Sequence, residues 1–336
     1  MFKRIVTAAA AALTLLSLAA CGAGSPSSAQ PGAAGSSTGA SGTAAAGGQT
    51  QKITVGVIPI VDTAPIWLGK SKGFFAEEGL DLDIQTATGG SAIVPGVQSG
   101  SYDFAFSNLI SVMVAKDKGL DMRFVADGAS STGDPAKEFG AVLVTGDSPI
   151  KTAKDLEGKK VSVNNLSNIG DTTIKTVVEK AGGDPSKVQF VEVAFPDAQA
   201  ALDKGVVDAA WILDPFRTAG VEAGDRVLSN NFVEFDPKLD IAGYFTSGDT
   251  IKNKPELTAK FTRAMNKSLD YAQQHPQEVR DVVGTYTKID AATRAKMNLP
   301  LYRSAFDRAA VQKLGDAAQK YGTLTKPVNL DELLPR

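Results

Sequence analysis

The stretch Gly100-Ser-Tyr-Asp-Phe-Ala-Phe106 settles the architecture, because Gly205-Val-Val-Asp-Ala-Ala-Trp211 repeats its pattern 105 residues later. Both stretches read Gly-x-x-Asp-x-Ala-aromatic. Two further pairs of segments recur in the same order, Lys52–Val55 with Lys160–Val163 and Leu80–Ile84 with Val188–Val193. Three matches in register predict two similar lobes.

Short β-like runs alternate with helical runs around these stretches. Strands are predicted at Ile53–Ile58, Leu80–Thr86 and Tyr102–Phe106, with helices at Ala64–Phe75 and Ala92–Gln98 between them. This order is typical of a parallel sheet covered by helices. The repeat gives the second lobe the same order, so both lobes are predicted to be α/β.

The last hundred residues are mostly helical. A strand is predicted at Ala242–Thr246, and helices are predicted from Pro255, Pro276 and Phe306. Because these helices need a sheet to pack on, we expect them to return to the first lobe. Lobe 1 is then 52–143 and 243–336, lobe 2 is 144–242, and two crossings join them near Val142–Thr145 and Gly243–Thr246.

The N-terminus has the parts of an export signal. Lys3 and Arg4 precede the apolar run Ile5–Leu18, which is too short to span a membrane. Leu18-Ala-Ala-Cys21 resembles a bacterial lipobox, in which the cysteine takes a diacylglycerol and becomes the new N-terminus. We expect 1–20 to be a lipoprotein signal peptide and Cys21 to be lipidated. The alternative is a plain secretory signal with a chance cysteine.

Cys21 is the only cysteine, so it has no disulfide partner. The segment after it, Gly22–Gln51, contains no charged residue and no large apolar residue. Such a composition cannot bury enough apolar surface to offset its ordering entropy. We expect 21–51 to be a flexible tether, spanning roughly 30 Å as a coil.

The charge balance argues against a nucleic-acid surface. Removing residues 1–20 takes away two basic residues and leaves 33 Lys+Arg against 37 Asp+Glu, a net charge of −4. Hydrophobic residues make up 43% of the chain, as in an ordinary globular protein. We therefore expect an exported monomer, lipid-anchored to the outer face of the cytoplasmic membrane.

Five motifs together resemble the first and second lobes of ABC-importer substrate-binding lipoproteins of the nitrate, sulfonate, taurine and pyrimidine-precursor type. They are Ile58–Pro65, Lys72–Asp81, Gly100–Ser107, Asp155–Val161 and Asp208–Phe216. The resemblance covers Lys52 to about Leu334. It implies a two-lobe, type II periplasmic-binding-protein-like fold with two hinge crossings. Such a protein closes on a small ligand and delivers it to a permease and its ATPase.

One departure from the family bears on the ligand. Sulfonate binders of this type carry a Gly-Ser-Thr run at the start of the second-lobe helix, whereas this chain has Asn168-Ile-Gly-Asp-Thr-Thr173. Family membership is therefore better determined than the ligand, which we expect to be a small organic solute such as an amino-sulfonate, a pyrimidine or an aromatic compound.

Open α/β sheets bind ligands beyond the carboxyl ends of their strands, and in two lobes these ends face each other. The candidate ligand residues of the first lobe are Asp62, Thr63, Gly89, Gly90, Ser91, Ser107 and Asn108. Those of the second lobe are Asn164, Asn168, Asp171, Thr172, Phe195, Asp197, Trp211 and Asp214.

Several of these candidates have a structural alternative. Asp171 could cap a helix, and Asp62, Asp197 and Asp214 could serve as turn or cap residues. Trp211 could be a core aromatic at a strand end or a platform for a ring. Because acids outnumber bases in this set, the sequence favours a ligand with N–H donors over bare nitrate.

The sequence offers little for catalysis. The only histidine, His275, lies among the C-terminal helices, so neither a His/Cys metal site nor a Cys–His pair can be assembled. We expect no metal, no cofactor and no enzymatic activity. Two alternatives stay open. One is an enzyme like the pyrimidine-precursor synthase of this fold, which uses its own histidine and pyridoxal phosphate. The other is a ligand-binding partner of a membrane sensor.

Overall fold

The structure is a computed structural model that describes residues 50–335. The predicted signal peptide, Cys21 and nearly all of the predicted tether lie outside the described residues. Gln51, the last residue assigned to the tether, already begins the first strand. Within 50–335, no helix combines the length and apolar character needed to cross a bilayer.

The first sheet has five strands, and its core is parallel. Ile53, Val55 and Val57 are buried at alternate positions of β1, as expected of a strand with one face on a core. β1 pairs in parallel with β2 and β3, and β10 runs antiparallel between β3 and β4. The strands of this sheet, in spatial order, are β2 (Leu80–Thr86), β1 (Gln51–Val57), β3 (Phe104–Asn108), β10 (Asp240–Ser247) and β4 (Met122–Ser130).

The second sheet repeats this arrangement. β6 pairs in parallel with β7 and β8, and β5 runs antiparallel between β8 and β9. Its strands, in spatial order, are β7 (Gln189–Glu192), β6 (Lys160–Val163), β8 (Ala209–Leu213), β5 (Gly140–Val144) and β9 (Arg226–Ser229). The prediction of two α/β lobes is confirmed.

The repeated aspartates make the same contact in both lobes. The Thr54 N–H donates to Asp103 Oδ2 at 3.0 Å, and the Lys160 N–H donates to Asp208 Oδ2 at 2.8 Å. Each carboxylate thus ties the start of one strand to the turn before its parallel neighbour. The Gly-x-x-Asp pattern therefore has a structural cause that is common to the two sheets.

Helices cover the sheets. Those of the first part of the chain are α1 (Ala64–Ser71), α2 (Phe74–Glu77), α3 (Gly90–Gln98) and α4 (Leu109–Asp117). The second lobe has α5 (Ile169–Lys180), α6 (Phe195–Asp203), α7 (Phe216–Ala223) and α8 (Asn231–Phe235). The C-terminal helices are α9 (Gly248–Asn253), α10 (Pro255–Gln274), α11 (Pro276–Val283), α12 (Ala291–Lys296), α13 (Arg308–Lys320) and α14 (Leu330–Leu333).

Two predicted elements differ from the structure. The helix predicted at Ala64–Phe75 is two helices, because Gly73 takes a left-handed conformation (φ 79°) that ends the first and precedes the second. Ser107 and Asn108, predicted to follow a strand, are the last two residues of β3. The long C-terminal helix predicted from Pro255 is confirmed as α10, which packs on α1 of the first lobe.

The two crossings between the lobes were predicted at positions that lie inside strands, and each crossing comes just before the strand in question. Val142–Val144 lies in β5, inside the second sheet, and Gly243–Thr246 lies in β10, inside the first. The chain changes sheet instead at 131–139 and at 236–239. A fully buried apolar run is recognisable as a strand, but its pattern does not reveal which sheet it completes.

The two crossings contact each other. The Ser131 N–H donates to the Leu239 carbonyl at 2.8 Å, and β4 and β10, from which the crossings extend, are neighbours in the first sheet. Leu301 adds an antiparallel bridge to Ser130 at the same place. The hinge between the lobes is therefore a single hydrogen-bonded strip.

Candidate functional site

A cavity of about 20 Å³ lies between the lobes, at the strand ends that the topology brings together. Its first-lobe wall includes Asp62 and Asn108, and its second-lobe wall includes Asn164, Phe195 and Trp211. This volume holds about one water molecule, so a larger ligand requires the lobes to separate. Five of the predicted ligand residues thus line one interlobe cavity.

Asp62 is the most unusual group in this cavity. It follows β1 in a short 3-10 turn, is 1% exposed, and its Oδ2 atom has no hydrogen-bond partner among the described residues. Burial, with smaller contributions from the nearby carboxyls of Glu138 and Asp214, raises the pKa of Asp62 to about 8. A buried acceptor without a partner is costly, which points to a group that a ligand completes.

Three tyrosines lie near Asp62, of which Tyr244 and Tyr302 are buried and Tyr286 is half-buried, and sequence reasoning named none of them. Tyr286 donates to the Ile60 carbonyl at 3.0 Å, and Tyr302 donates to the Val61 carbonyl at 2.9 Å. The Tyr244 hydroxyl has no partner among the described residues. Burial raises the pKa of Tyr244 well above its ordinary value, and Tyr286 and Asp62 add to the shift. Tyr286 and Tyr302 come from the C-terminal segment. The rule that ligands bind beyond the carboxyl ends of parallel strands therefore could not identify them.

Trp211 provides an aromatic wall from the second lobe. The structure places it inside β8 rather than after it, 2% exposed, with Phe195 at 5.3 Å and Phe232 at 5.7 Å in edge-to-face contact. A Cβ on Gly170 would lie 2.5 Å from the indole, so only glycine lets α5 approach it. The indole Nε1 has no hydrogen-bond partner in the described part of the chain. Trp211 therefore serves the core and also offers the cavity a donor.

A second cavity, of about 270 Å³, shares Phe195 with the first. Asp197, another predicted ligand residue, lines it from the exposed first turn of α6. Asp197 lies where the positive end of the helix dipole favours an acid. Its position is at the rim of the interlobe space rather than in the buried cavity.

Three predicted ligand residues of α5 serve the helix instead. Asp171 accepts from the backbone N–H groups of Ser167 and Asn168 at 2.9 and 2.8 Å, in a capping box. Asn168 accepts from the Gly170 N–H, and the Thr172 hydroxyl donates back to the Asn168 carbonyl. Burial raises the pKa of Asp171, and these hydrogen bonds oppose that shift. The alternative role that the sequence left open for Asp171 is the one that its contacts support.

Two first-lobe candidates also have internal partners. The Thr63 hydroxyl donates to the Ile58 carbonyl at 2.8 Å, which closes the turn around Asp62. Asn108 caps α4 by accepting from the Ser111 N–H at 3.0 Å, although it also lines the cavity. Ser107, in contrast, is fully buried and its hydroxyl has no partner among residues 50–335. Ser107 thus joins Asp62 and Trp211 as an unsatisfied group.

The glycine-rich loop Gly89–Ser91 contacts the second lobe directly. Asn164 Nδ2 donates to the Thr88 carbonyl at 3.3 Å, and the Ser91 N–H donates to Asn165 Oδ1 at 3.3 Å. A Cβ on Gly89 would lie 2.1 Å from the same Asn165 oxygen, whereas one on Gly90 would meet Ser111 and Ser107. Gly89 thus permits close approach of the two lobes, whereas Gly90 permits close packing within the first lobe. A cavity of about 390 Å³ lies beside Gly90 and Ser91.

Asp214 links the lobes near the hinge. Its carboxylate accepts from the N–H of Thr218 at 3.0 Å and of Asn298 at 3.1 Å, and its carbonyl accepts from the Val61 N–H at 3.0 Å. Burial raises the pKa of Asp214 to about 6, against these hydrogen bonds and the charge of Arg217. Asp214 is therefore a cap and an interlobe link, with both oxygens already engaged.

The chemistry of the cavity follows from its unsatisfied atoms. Among the residues that line it, the Asp62 carboxyl can accept a hydrogen bond, or donate one when it is protonated, and the Trp211 indole N–H can donate one. Apolar walls from both lobes surround them. Such an arrangement binds a small molecule that carries both polar and apolar faces.

Comparisons with known proteins agree with this geometry. The model of the family described as NMT1/THI5 like matches residues 60–279. A formylaminopyrimidine-binding protein of Halalkalibacterium halodurans is 26% identical over 223 residues, which cover 66% of this chain and 65% of that protein. A 4-amino-5-hydroxymethyl-2-methylpyrimidine phosphate synthase of Saccharomyces cerevisiae is 25% identical over 225 residues, covering 63% and 64%. The chain thus spans slightly less than two thirds of these relatives.

Solved structures share the fold at lower identity. The alkanesulfonate-binding protein SsuA from Xanthomonas axonopodis pv. citri, bound to MOPS, superposes with a TM-score of 0.72 and 18% identity. The match covers 85% of this chain and 98% of that protein. The two-lobe arrangement of periplasmic binding proteins is therefore the fold of this chain.

Proposed function

Because this chain belongs to the NMT1/THI5-like family, we propose that it is the substrate-binding component of an ABC-type importer. It captures a small organic solute between its lobes and delivers the solute to a membrane permease with its ATPase. Relatives in this family are named for the binding of a pyrimidine, and proteins of the same fold for the binding of sulfonates.

One observation carries the proposal. Each lobe lines the same interlobe cavity with a residue that has a buried polar atom without a partner among residues 50–335, Asp62 (Oδ2) in the first lobe and Trp211 (Nε1) in the second. A solute held there touches both lobes, so its binding energy favours the arrangement in which they meet. An amino-sulfonate, a pyrimidine or an aromatic compound has the size and mixed polarity for such a site.

The yeast relatives named as synthases raise a second candidate, an enzyme on the same fold. The position of His275 argues against that function for this chain. Its ring stacks on Tyr271 at 3.8 Å and its Nδ1 lies 2.7 Å from the Tyr271 carbonyl, at the end of α10. The chain has no other histidine, and His275 is not among the residues that line the cavity. A synthase that uses its own histidine would need one there.

We further propose that the protein is exported and lipid-anchored through Cys21 at the outer face of the cytoplasmic membrane. The uncharged segment up to Gln51 then holds the binding lobes off the bilayer. This arrangement suits capture of a solute outside the cell and its transfer to a permease nearby.

An engineered disulfide tests capture between the lobes. Asn165 Cγ lies 2.9 Å from where a Cβ on Gly89 would be, so Gly89→Cys with Asn165→Cys places two sulfurs within bonding reach across the cleft. The Cys21→Ser background removes the other thiol. Thermal shift is measured with taurine, benzenesulfonate, benzamidine and 4-amino-2-methylpyrimidine.

We expect at least one of these probes to stabilise the reduced double variant, by about 2.7 kcal/mol at 100 times its Kd, and to lose this effect after oxidation. The single variant Asn165→Cys is the matched control and should respond equally in both conditions. Equal binding by the oxidised and reduced double variant, or no stabilisation by any probe, contradicts solute capture between the lobes.

A further inference from the structure

We propose that closure of the lobes is coupled to proton uptake, so that the empty protein opens as the pH rises from about 5 to about 8. The sensing element consists of three carboxyl groups at the hinge end of the cleft, Asp62, Glu138 and Asp214, which we call the carboxyl cluster. This switch goes beyond the proposed function, because it belongs to the lobes themselves and not to the chemistry of the solute.

Two backbone hydrogen bonds hold the carboxyl cluster together. Asp62 follows Val61, whose N–H donates to the Asp214 carbonyl at 3.0 Å. Glu138 precedes Phe139, whose carbonyl accepts from the Asp214 N–H at 2.9 Å. The three carboxyls thus come from the first lobe, the crossing between the lobes and the second lobe, and each is at most 1% exposed. The cluster therefore forms only where the two lobes meet.

Little positive charge balances the carboxyl cluster. Among the described residues that line the cavity there is no Lys or Arg. Arg217 is half-buried nearby, and its charge lowers the pKa of Glu138 and of Asp214. The other titratable groups that face Asp62 are tyrosines whose raised pKa values keep them neutral, namely Tyr244, Tyr286 and Tyr302, with Arg280 facing the last of them.

Burial keeps protons on the carboxyl cluster while the lobes are closed. It raises the pKa of Asp62 to about 8, from an ordinary value of 3.8. It also raises the pKa values of Glu138 and Asp214, each to about 6. Asp62 lines the cavity between the lobes, so their separation admits water to its carboxyl and removes the main cause of the shift.

The direction of the pH effect follows from these shifts. Between about pH 4 and pH 8 the closed state binds more protons than the open state, because only the closed state holds Asp62 away from water. The advantage of the closed state is therefore complete below this range and is lost as the pH rises through it. Once more than one carboxyl has lost its proton, repulsion between the carboxylates further disfavours closure.

Two other buried carboxyls near the hinge do not sense opening. Asp127 and Asp240 lie on the neighbouring strands β4 and β10 of the first sheet, and burial raises the pKa of each. The Ser130 hydroxyl donates to Asp240 at 2.7 Å, and Arg303 lies 3.7 Å from the same carboxylate. Because their strands belong to one lobe, these carboxyls stay enclosed when the lobes separate.

Small-angle X-ray scattering of the solute-free protein tests the switch. The radius of gyration is measured at pH 5, 6, 7 and 8 for wild type, Asp62→Asn and Asp81→Asn, the last being the same substitution at an exposed position of the same lobe. We expect the radius of wild type and of Asp81→Asn to increase with pH, as the ratio of closed to open protein falls by up to about tenfold per pH unit. Asp62→Asn has no proton to lose, so its radius should stay near the value at pH 5.

Two further variants separate the switch from a general effect of pH on size. The oxidised double variant Gly89→Cys with Asn165→Cys, on the Cys21→Ser background, is the closed reference, and its radius should not change with pH. Glu138→Gln should make the dependence shallower without abolishing it, because Asp62 still titrates.

A radius of wild type that does not depend on pH, or the full wild-type dependence in Asp62→Asn, overturns the inference. An increase of the same size in the oxidised double variant also overturns it, because the lobes of that variant cannot separate. No solute is present in these measurements, so their failure leaves solute capture intact, and the thermal-shift panel tests capture separately.

Discussion

Asp62 is buried, lies in the turn that follows β1, and has no described hydrogen-bond partner for its Oδ2 atom. The short turn after the strand places it, the surrounding tyrosines and carboxyls bury it, and the two lobes together enclose it. Its carboxyl is therefore an expensive group for the fold to keep unless it serves a ligand.

The raised pKa of Asp62 predicts a dependence of stability on pH. With a pKa of about 8 in the folded protein and an ordinary value of 3.8, the folded state keeps a proton that the unfolded state has lost between these values. The Asp62 carboxyl thus contributes most to the free energy of unfolding below about pH 4, and this contribution falls as the pH rises to 8. Asp62→Asn cannot titrate, so its stability relative to wild type should rise by on the order of 3 kcal/mol between pH 5 and pH 8.

Urea unfolding at the two pH values measures this difference, and Asp81→Asn, the same substitution at an exposed position of the first lobe, is the matched control. Glu138 and Asp214 interact with Asp62, so the measured difference belongs to this group of carboxyls, with Asp62 as the member whose pKa is raised most. A constant difference between Asp62→Asn and wild type would mean that the carboxyl is not held in its protonated form by burial.

The strand-end rule identified some site residues and missed others for a physical reason. Asp62, Asn108 and Asn164 line the cavity from positions where parallel strands end, so the order of elements was enough to suggest them. Asp171 follows the same rule, but local capping engages it first, since a carboxylate three residues into a helix is close to the open N–H groups. Tyr286 contacts the Ile60 carbonyl from the turn after α11, 226 residues away in sequence, and no local pattern encodes that approach.

The N-terminal end of α5 is the element on which the second-lobe wall depends. Asp171 and Asn168 form its capping box, and Asn168 Nδ2 also donates to Asn164 Oδ1 at 2.8 Å. Asn164 lines the cavity, so the cap positions a site residue without contacting a ligand.

Asp171→Ala should destabilise the protein by about 1–2 kcal/mol, because two backbone N–H groups lose their acceptor. In urea unfolding the midpoint should fall while the slope stays unchanged. Asp155→Ala removes the matching capping box of Thr152, away from the cleft, and provides the comparison. An unchanged midpoint in Asp171→Ala would indicate that its carboxylate does not serve the cap.

The elements themselves were largely predictable from the repeat. Periodicity and the Gly-x-x-Asp pattern give the parallel strands of both sheets, because each depends on local alternation and on turns. The antiparallel strands β5 and β10 were assigned to the hinge instead, since their pairing partners lie far away in sequence. Gly73 splits one predicted helix because its backbone is left-handed. A hydrophobic pattern does not report backbone conformation, so the split could not be predicted from it.

The proposed lipid anchor at Cys21 would attach these lobes to a membrane. Two or more acyl chains on Cys21 hold a protein firmly, at ~0.8 kcal/mol for each buried methylene. Cys21→Ser should therefore move the protein from the membrane fraction to the soluble fraction of fractionated cells. Ser17→Ala, within the same signal, is the control and should stay with the membrane. Retention of Cys21→Ser at the wild-type level would show that the cysteine is not the anchor.

The hinge strip described above has a consequence for kinetics. Since the crossings at 131–139 and 236–239 are joined by a hydrogen bond between Ser131 and Leu239, we expect them to bend together and the lobes to move along one angular coordinate. A solute enclosed by both lobes leaves only along that coordinate. Solutes of different chemistry should then be released through the same opening motion. Their dwell times should differ only in how strongly each solute stabilises the closed arrangement of the lobes.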